Sequence, residues 1–272
     1  MLAKKIIMYS SLTLLFKYIQ YLYKASNGKG HGVHSPFVYQ FIREVLNKKA
    51  AHPAFSAIEL QRKVLEKNNA FVQVWDRGAG SRQTKEAERR IGAIAKAALK
   101  PKKYSQLLYK IAAHYQPASI LEMGTSLGIT TCYLSVANEK AQVVTMEGAP
   151  YIAQIAKNTF NAIGVNNVKL IEGDFNETLP AYIASQEAIG LAYVDGNHRY
   201  APTIQYFKQL LARSNDASVL IFDDIHWSEE MEKAWEEIKE DPEVTLTIDL
   251  FFIGLVFIRK AQKEKEHFII RY

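Results

Sequence analysis

The 272-residue chain reads as a doubly wound α/β protein, with a mainly parallel seven-stranded sheet whose last strand is antiparallel, preceded by a mainly helical N-terminal cap. Three observations predict this. Short apolar runs alternate with helical stretches from residue 119 onward, the βαβ rhythm of a parallel sheet. Two of the runs, Leu191 to Val194 and Ser218 to Phe222, are apolar almost throughout, as in strands covered on both faces. The runs end in carboxylates, at the end of the sheet where such folds bind ligands.

Lys5 to Tyr23 reads as a helix rich in Tyr and Leu. Its apolar run, Ile6 to Phe16, is broken by Tyr9, Ser10, Ser11 and Thr13 and falls far short of a bilayer crossing. Lys4 and Lys5 precede it as in a signal peptide, yet Lys17 follows and no small-residue cleavage site is evident. Packing against the protein is the expectation, with a peripheral membrane contact or a dimer contact as the other options. Gly28 to Pro36 is a loop with three glycines and a proline. His31 and His34 stand at a chelating spacing, but no cysteine cluster accompanies them, which argues against zinc.

Phe71 to Trp75 is strand-like and runs into a glycine loop, Asp76 to Arg82, whose arginines suit an anionic group. Thr84 to Leu99 has the pattern of a basic amphipathic helix, stopped before Pro101, and Tyr104 to His114 is the next helix. No repeat or low-complexity linker interrupts this order. Residues 1–100 are therefore expected to form a cap or substrate-binding region, and residues 101–272 the main domain.

Ser119-Ile120-Leu121 is the first strand of that domain, and it runs through Glu122-Met123-Gly124-Thr125-Ser126-Leu127-Gly128 into a helix, Ile129 to Ala137. Glycines in such a loop let the backbone approach a ligand, and the helix offers its first amides to a carboxylate or phosphate. The spacing lacks the middle glycine of the dinucleotide fingerprint, and no Gly-Lys-Ser/Thr closes a P-loop. Val143 to Glu147 is a β-branched strand ending in an acid 25 residues after Glu122, about where a doubly wound fold places its ribose carboxylate. Val168 to Phe175, Leu191 to Asp195 and Ser218 to Asp224 follow as strands, separated by helices at Tyr151 to Ile163 and Tyr200 to Leu211. Glu229 to Glu240 is the last helix. Val244 to Leu250 and Phe252 to Arg259 are then two strands joined by almost nothing, too close for a parallel crossover and so antiparallel.

The E-x-G-x-x-x-G loop in its strand-loop-helix setting, with the acids after the next strands, resembles the class I S-adenosylmethionine (SAM) dependent methyltransferases, whose fold is Rossmann-like. The resemblance covers roughly residues 100–260. It implies SAM as cofactor, with Glu122, Gly124, Ser126 and Gly128 in the first motif and Glu147 on the ribose hydroxyls. Gly173, Asp174 and Phe175 would then form the adenine site, Asp174 accepting from the exocyclic amine and Phe175 covering the ring, with Asp195 also at the cofactor.

Asp195, Asp223 and Asp224 end two successive strands. Three converging carboxylates repel unless a cation sits among them, and oxygen donors suit Mg²⁺ or another divalent cation. They fall where the chain is similar to catechol and caffeoyl-CoA O-methyltransferases at their metal ligands, although Asp224 stands in place of that family's Asn. His198, three residues after Asp195, occupies the position of the lysine base of catechol-type enzymes. A histidine titrates near neutrality and can take a hydroxyl proton. The alternative is that Asp223 and Asp224 cap the helix after Trp227 and that His198 belongs to a surface turn. His226 either lines the pocket or packs.

Cys132 is the only cysteine, so no intramolecular disulfide forms and a cytoplasmic location is expected. Residues 1–118 hold 21 Lys+Arg against 6 Asp+Glu, a net of +15, while the remainder carries −9. The asymmetry points to an acidic partner for the N-terminal part or to a solvated basic surface. The functional expectation is divalent-metal-assisted O-methylation of a small hydroxylated acceptor by a monomer or homodimer. RNA methylation, on a tRNA modified base, and a SAM-binding module without catalysis are the alternatives. No RNA-binding module is legible.

Overall fold

The computed structural model describes residues 8–74 and 87–272. In chain order the elements are α1 (Ser11–Lys24), α2 (Pro36–Phe41, continued by a π-helical turn, Ile42–Leu46), α3 (Phe55–Lys67), β1 (Phe71–Val74), β2 (Ala87–Arg90), α4 (Ile91–Ala98) and α5 (Lys102–Tyr115). The regular βα alternation follows: β3 (Ser119–Met123), α6 (Ile129–Ala137), β4 (Gln142–Glu147), α7 (Pro150–Ile163), β5 (Val168–Glu172), α8 (Phe175–Ala184), β6 (Leu191–Val194), α9 (Tyr200–Leu211), β7 (Val219–Asp223) and α10 (Glu229–Glu240). Three strands close the chain, β8 (Leu246–Asp249), β9 (Ile253–Phe257) and β10 (Glu266–Ile269).

Eight strands form one sheet in the order β10-β8-β9-β7-β6-β3-β4-β5. Strand β9 runs antiparallel to β7 and β8, with Phe222 opposite Gly254 and Ile248 opposite Leu255. The β8–β9 link is as tight as the sequence implies: Leu250 donates its amide to the Ile253 carbonyl at 2.9 Å, and Phe251 turns the chain at φ 72°. Strand β10, parallel to β8, was not anticipated. It makes the sheet eight-stranded rather than seven, and its two polar residues, Glu266 and His267, followed by the partly buried Phe268 and Ile269, suit a half-solvated edge.

By their contacts the described residues fall into two compact units, one of residues 8–47 and 183–272, the other of residues 48–74 and 87–182. In the second unit β3, β4 and β5 pair in parallel, with Glu122 opposite Thr145 and Glu147 opposite Glu172. Its core gathers Phe55 and Ile58 of α3, Ile129, Cys132 and Tyr133 of α6, and Ile152, Ala156 and Phe160 of α7. Helix α7 begins at Pro150, which lacks an amide that would be unpaired there, and stops at Gly164 with φ 80°. The helix expected over Thr84 to Leu99 differs here. Residues Ala87–Arg90 lie in a strand paired with Phe71–Val74, and the helix begins only at Ile91. The run of Glu88, Arg89 and Arg90 is polar on both faces, so helical periodicity carried no information about it. The glycine loop Asp76 to Arg82 lies outside the described residues.

In the first unit β6, β7 and β9 are buried along their whole length, as their unbroken apolar sequences require. Ser228 caps α10, its Oγ accepting from the Met231 amide at 3.2 Å, and Glu229, Glu230 and Glu232 load the positive end of the helix. Helix α1 starts at Ser11 rather than at Lys5, because Ser10 is its cap and Met8 pairs with Ser228 as an antiparallel bridge. Tyr18, Tyr21 and Leu22 of α1 pack against Phe251, Phe252 and Ile269. Among the described residues, no helix is long and apolar enough to cross a membrane.

Candidate active site

In the second unit the loop from β3 to α6 is bent by left-handed residues, Gly124 at φ 106°, Ser126 at 49° and Gly128 at 82°. A Cβ at Gly128 would stand 2.6 Å from Phe160 Cε1 and 3.3 Å from Ala156, so both the conformation and the close approach require glycine. Glu147, at the end of β4, braces this loop. Its Oε2 accepts from the Ser126 amide at 2.9 Å and its Oε1 from the Ala149 amide at 3.0 Å. Burial raises the Glu147 pKa, and the backbone amides of Ala149, Ser126 and Gly148 oppose that rise.

Glu122 is wholly buried and accepts from the hydroxyls of Thr131 on α6 and Thr145 on β4, the latter at 2.7 Å. Thr125 joins the same cluster through Thr145 at 2.6 Å. Thr131 and Thr145 were not singled out from the sequence; a threonine nine residues after the motif acid, in the first turn of α6, was the available signal. Glu122 thus fixes the strand, the loop and the helix to one another. Gly173 follows β5 at φ 145°, where a Cβ would meet Thr178 at 2.9 Å. Asp174 opens α8, its Oδ1 accepting from the Asn176 amide at 2.9 Å and its carbonyl from Thr178. Phe175 is the first residue of α8 and is half-buried. Left-handed glycines, a helix N-terminus and carboxylates at the ends of β4 and β5 fit the polar groups of SAM, which carries a carboxylate, two ribose hydroxyls and an adenine amine.

In the first unit the buried Tyr193 of β6 donates its hydroxyl to Asp195 Oδ2 at 2.9 Å. Burial, then the charges of Asp195 and Asp223, hold the phenol well above its ordinary pKa, so it keeps its proton. His198 Nε2 stands 3.5 Å from Asp195 Oδ1. Asn197 between them is left-handed at φ 65° and donates to the Tyr206 hydroxyl at 3.1 Å, which turns the chain back so that His198 faces Asp195. Asp195 is therefore held between a phenol donor and an imidazole.

Asp223 is buried at the end of β7, and Asp224 follows at φ 53°, its amide donating to the Phe252 carbonyl at 2.7 Å. Neither caps α10, since Ser228 does. Among the described residues no group of three or more His, Cys, Asp or Glu side chains is placed to hold a metal ion. Tyr193 lies within the fields of Asp195, Asp223 and Asp224 together, and the two oxygens of Asp195 face the Tyr193 hydroxyl and the His198 ring. His226 does not line this group. It bridges Glu232 and Asp249 at 3.1 and 2.8 Å and stacks on Phe251.

Sheet order, βα alternation and the glycine loop after β3 together define the fold of the class I SAM-dependent methyltransferases. Residues 121–225 match the model of a family described as a methyltransferase domain. A curated protein-L-isoaspartate O-methyltransferase of Fervidobacterium nodosum is 34% identical over 64 residues, which is 23% of this chain and 32% of that protein. The chain thus spans about a third of the length of that relative. Among solved structures, a methyltransferase of Podospora anserina bound to S-adenosylhomocysteine (SAH) superposes with a TM-score of 0.58 at 16% identity, over 84% of this chain and 97% of that one. An O-methyltransferase of Bacillus cereus in complex with SAH gives 0.55 at 18% identity, over 81% and 97%. The O-methyltransferase TomG of Streptomyces achromogenes in complex with SAM gives 0.52 at 20% identity, over 59% and 82%. At such identities the likeness is one of fold.

Proposed function

We propose that the protein is a SAM-dependent O-methyltransferase acting on a small hydroxylated acceptor. The observation that carries this is the Tyr193–Asp195–His198 chain, a phenol donor, a carboxylate and an imidazole in series at the end of β6, on a chain whose β3, β4 and β5 loops carry the glycines and acids of a SAM site. When bound, SAM supplies an electrophilic methyl group on a sulfonium. Glu147 orients the ribose, and Asp174 and Phe175 take the adenine. His198, with Nε2 facing Asp195, accepts the hydroxyl proton of the acceptor at Nδ1, and Asp195, fixed by Tyr193, stabilises the imidazolium that results. Positioning and this charge pairing do most of the work.

Residues 1–100 are proposed to contribute to acceptor binding. The finer reading, a divalent cation held by Asp195, Asp223 and Asp224, is supported by residue type and by resemblance only, so no step is routed through it. Methyl transfer from radiolabelled SAM into fractionated cell extract, with Mg²⁺ or with excess EDTA, tests the reading. Label in the small-molecule fraction is expected. Full activity in EDTA would remove the cation, label in RNA would favour an RNA methyltransferase served by the basic N-terminal part, and no label in any fraction would contradict catalysis.

A further inference from the structure

Helix α1 is apolar on two opposite faces. Tyr18, Tyr21 and Leu22 form the face that packs on the protein. The other carries Leu12, Leu15, Phe16, Ile19 and Tyr23, which recur at helical spacing and so make one continuous stripe. All five are exposed, Leu12 by 79%, Phe16 by 62% and Tyr23 by 93%, and Met8 just before the helix extends the stripe. A run of this kind is more than the scattered single apolar residues of an ordinary surface.

The stripe is held outward by anchors on the other side. Lys17 Nζ contacts both carboxylate oxygens of Glu232 at 2.9 Å, Tyr9 donates to Glu232 at 2.8 Å, and Tyr21 donates to the Ile270 carbonyl. His226 completes this by joining Glu232 to Asp249. The helix therefore cannot roll to bury the stripe without breaking these bonds.

Charge selects the occupant. Residues 1–43 contain Lys4, Lys5, Lys17, Lys24, Lys29 and Arg43 and not one Asp or Glu. A second copy docking stripe to stripe would bring a second wholly basic segment against the first, whereas an anionic lipid surface neutralises it. Large apolar side chains on one face, with tyrosine and lysine at the margins, are the make-up of helices that lie in the interface plane of a bilayer.

We propose that α1 docks this protein on anionic membrane surfaces, its Leu12-Leu15-Phe16-Ile19-Tyr23 stripe entering the headgroup boundary and the exposed Lys24 at its end meeting lipid phosphates. This inference does not depend on the catalytic reading.

The test is co-sedimentation of the full chain with phosphatidylglycerol–phosphatidylcholine vesicles and with phosphatidylcholine vesicles, alongside the double variant Leu15→Glu/Ile19→Glu. Because both positions are exposed, SAH affinity and thermal melting should match wild type, and the milder Leu15→Ser/Ile19→Ser serves if they do not. Binding to the anionic vesicles, weakened at least about tenfold by the variant and by high salt, is expected. Absence of vesicle binding would overturn the proposal, as would equal binding by the variants. Concentration-dependent self-association abolished by the variants, without vesicle binding, would overturn it in favour of a second copy.

Discussion

The carboxylate of Glu147 accepts the backbone amide of Ser126 at 2.9 Å, which joins the end of β4 to the left-handed turn after β3. One side chain thus sets the shape of the loop expected to receive the cofactor and stands where the ribose hydroxyls are expected. Ligand binding and loop geometry are coupled through it.

Gly128→Ala should lower stability by about 1–3 kcal/mol, through a clash with Phe160 and a left-handed backbone that alanine resists. Adding Phe160→Leu should recover the packing part and leave about 1 kcal/mol of backbone cost. Thermal melts of the two variants check this.

His198→Ala should lower kcat by about a hundredfold. Tyr193→Phe, which only frees Asp195 of its phenol donor, should cost about tenfold in kcat and shift the pH profile of the reaction, with SAH affinity unchanged. A wild-type rate for His198→Ala would return that residue to a surface turn.

The His226–Glu232 pair gives stability a defined pH window. Both imidazole nitrogens face carboxylates, so the ring is held as imidazolium. Burial lowers the His226 pKa, but the bonds to Asp249 and Glu232 outweigh it and push it up to about 9 from 6.5. Burial likewise raises Glu232, while His226, Lys17 and Tyr9 draw it down to about 2 from 4.5. The histidine contribution is full below pH 6.5 and is lost as the pH rises through about 9; the glutamate contribution is full above 4.5 and is lost as the pH falls through about 2. His226→Gln should therefore cost about 1–3 kcal/mol near pH 6 and little above pH 9.5, by denaturant titration at the two pH values.

Much of the main domain was legible because its signals are local. The helices Ile129–Ala137, Tyr200–Leu211 and Glu229–Glu240 begin and end where apolar periodicity places them, and the apolar runs of β6 and β7 leave no other reading. The tight β8–β9 turn was legible for the same reason. What was not legible depends on partners far away in the chain. Strand β10 exists through pairing with Leu246–Asp249, β2 through pairing with Phe71–Val74, and the role of His226 through Asp249. The Asp195 environment belongs to this group too, since only the fold shows Tyr193 and His198 sharing its two oxygens.

The most direct measurement is a calorimetric titration of SAH into wild type and into Glu147→Ala. Saturable one-to-one binding by wild type is expected, weakened by about 1–3 kcal/mol in the variant through lost hydrogen bonds to the ribose and the loop. No binding by wild type, or identical affinity in the two proteins, would contradict the cofactor site on which the account rests.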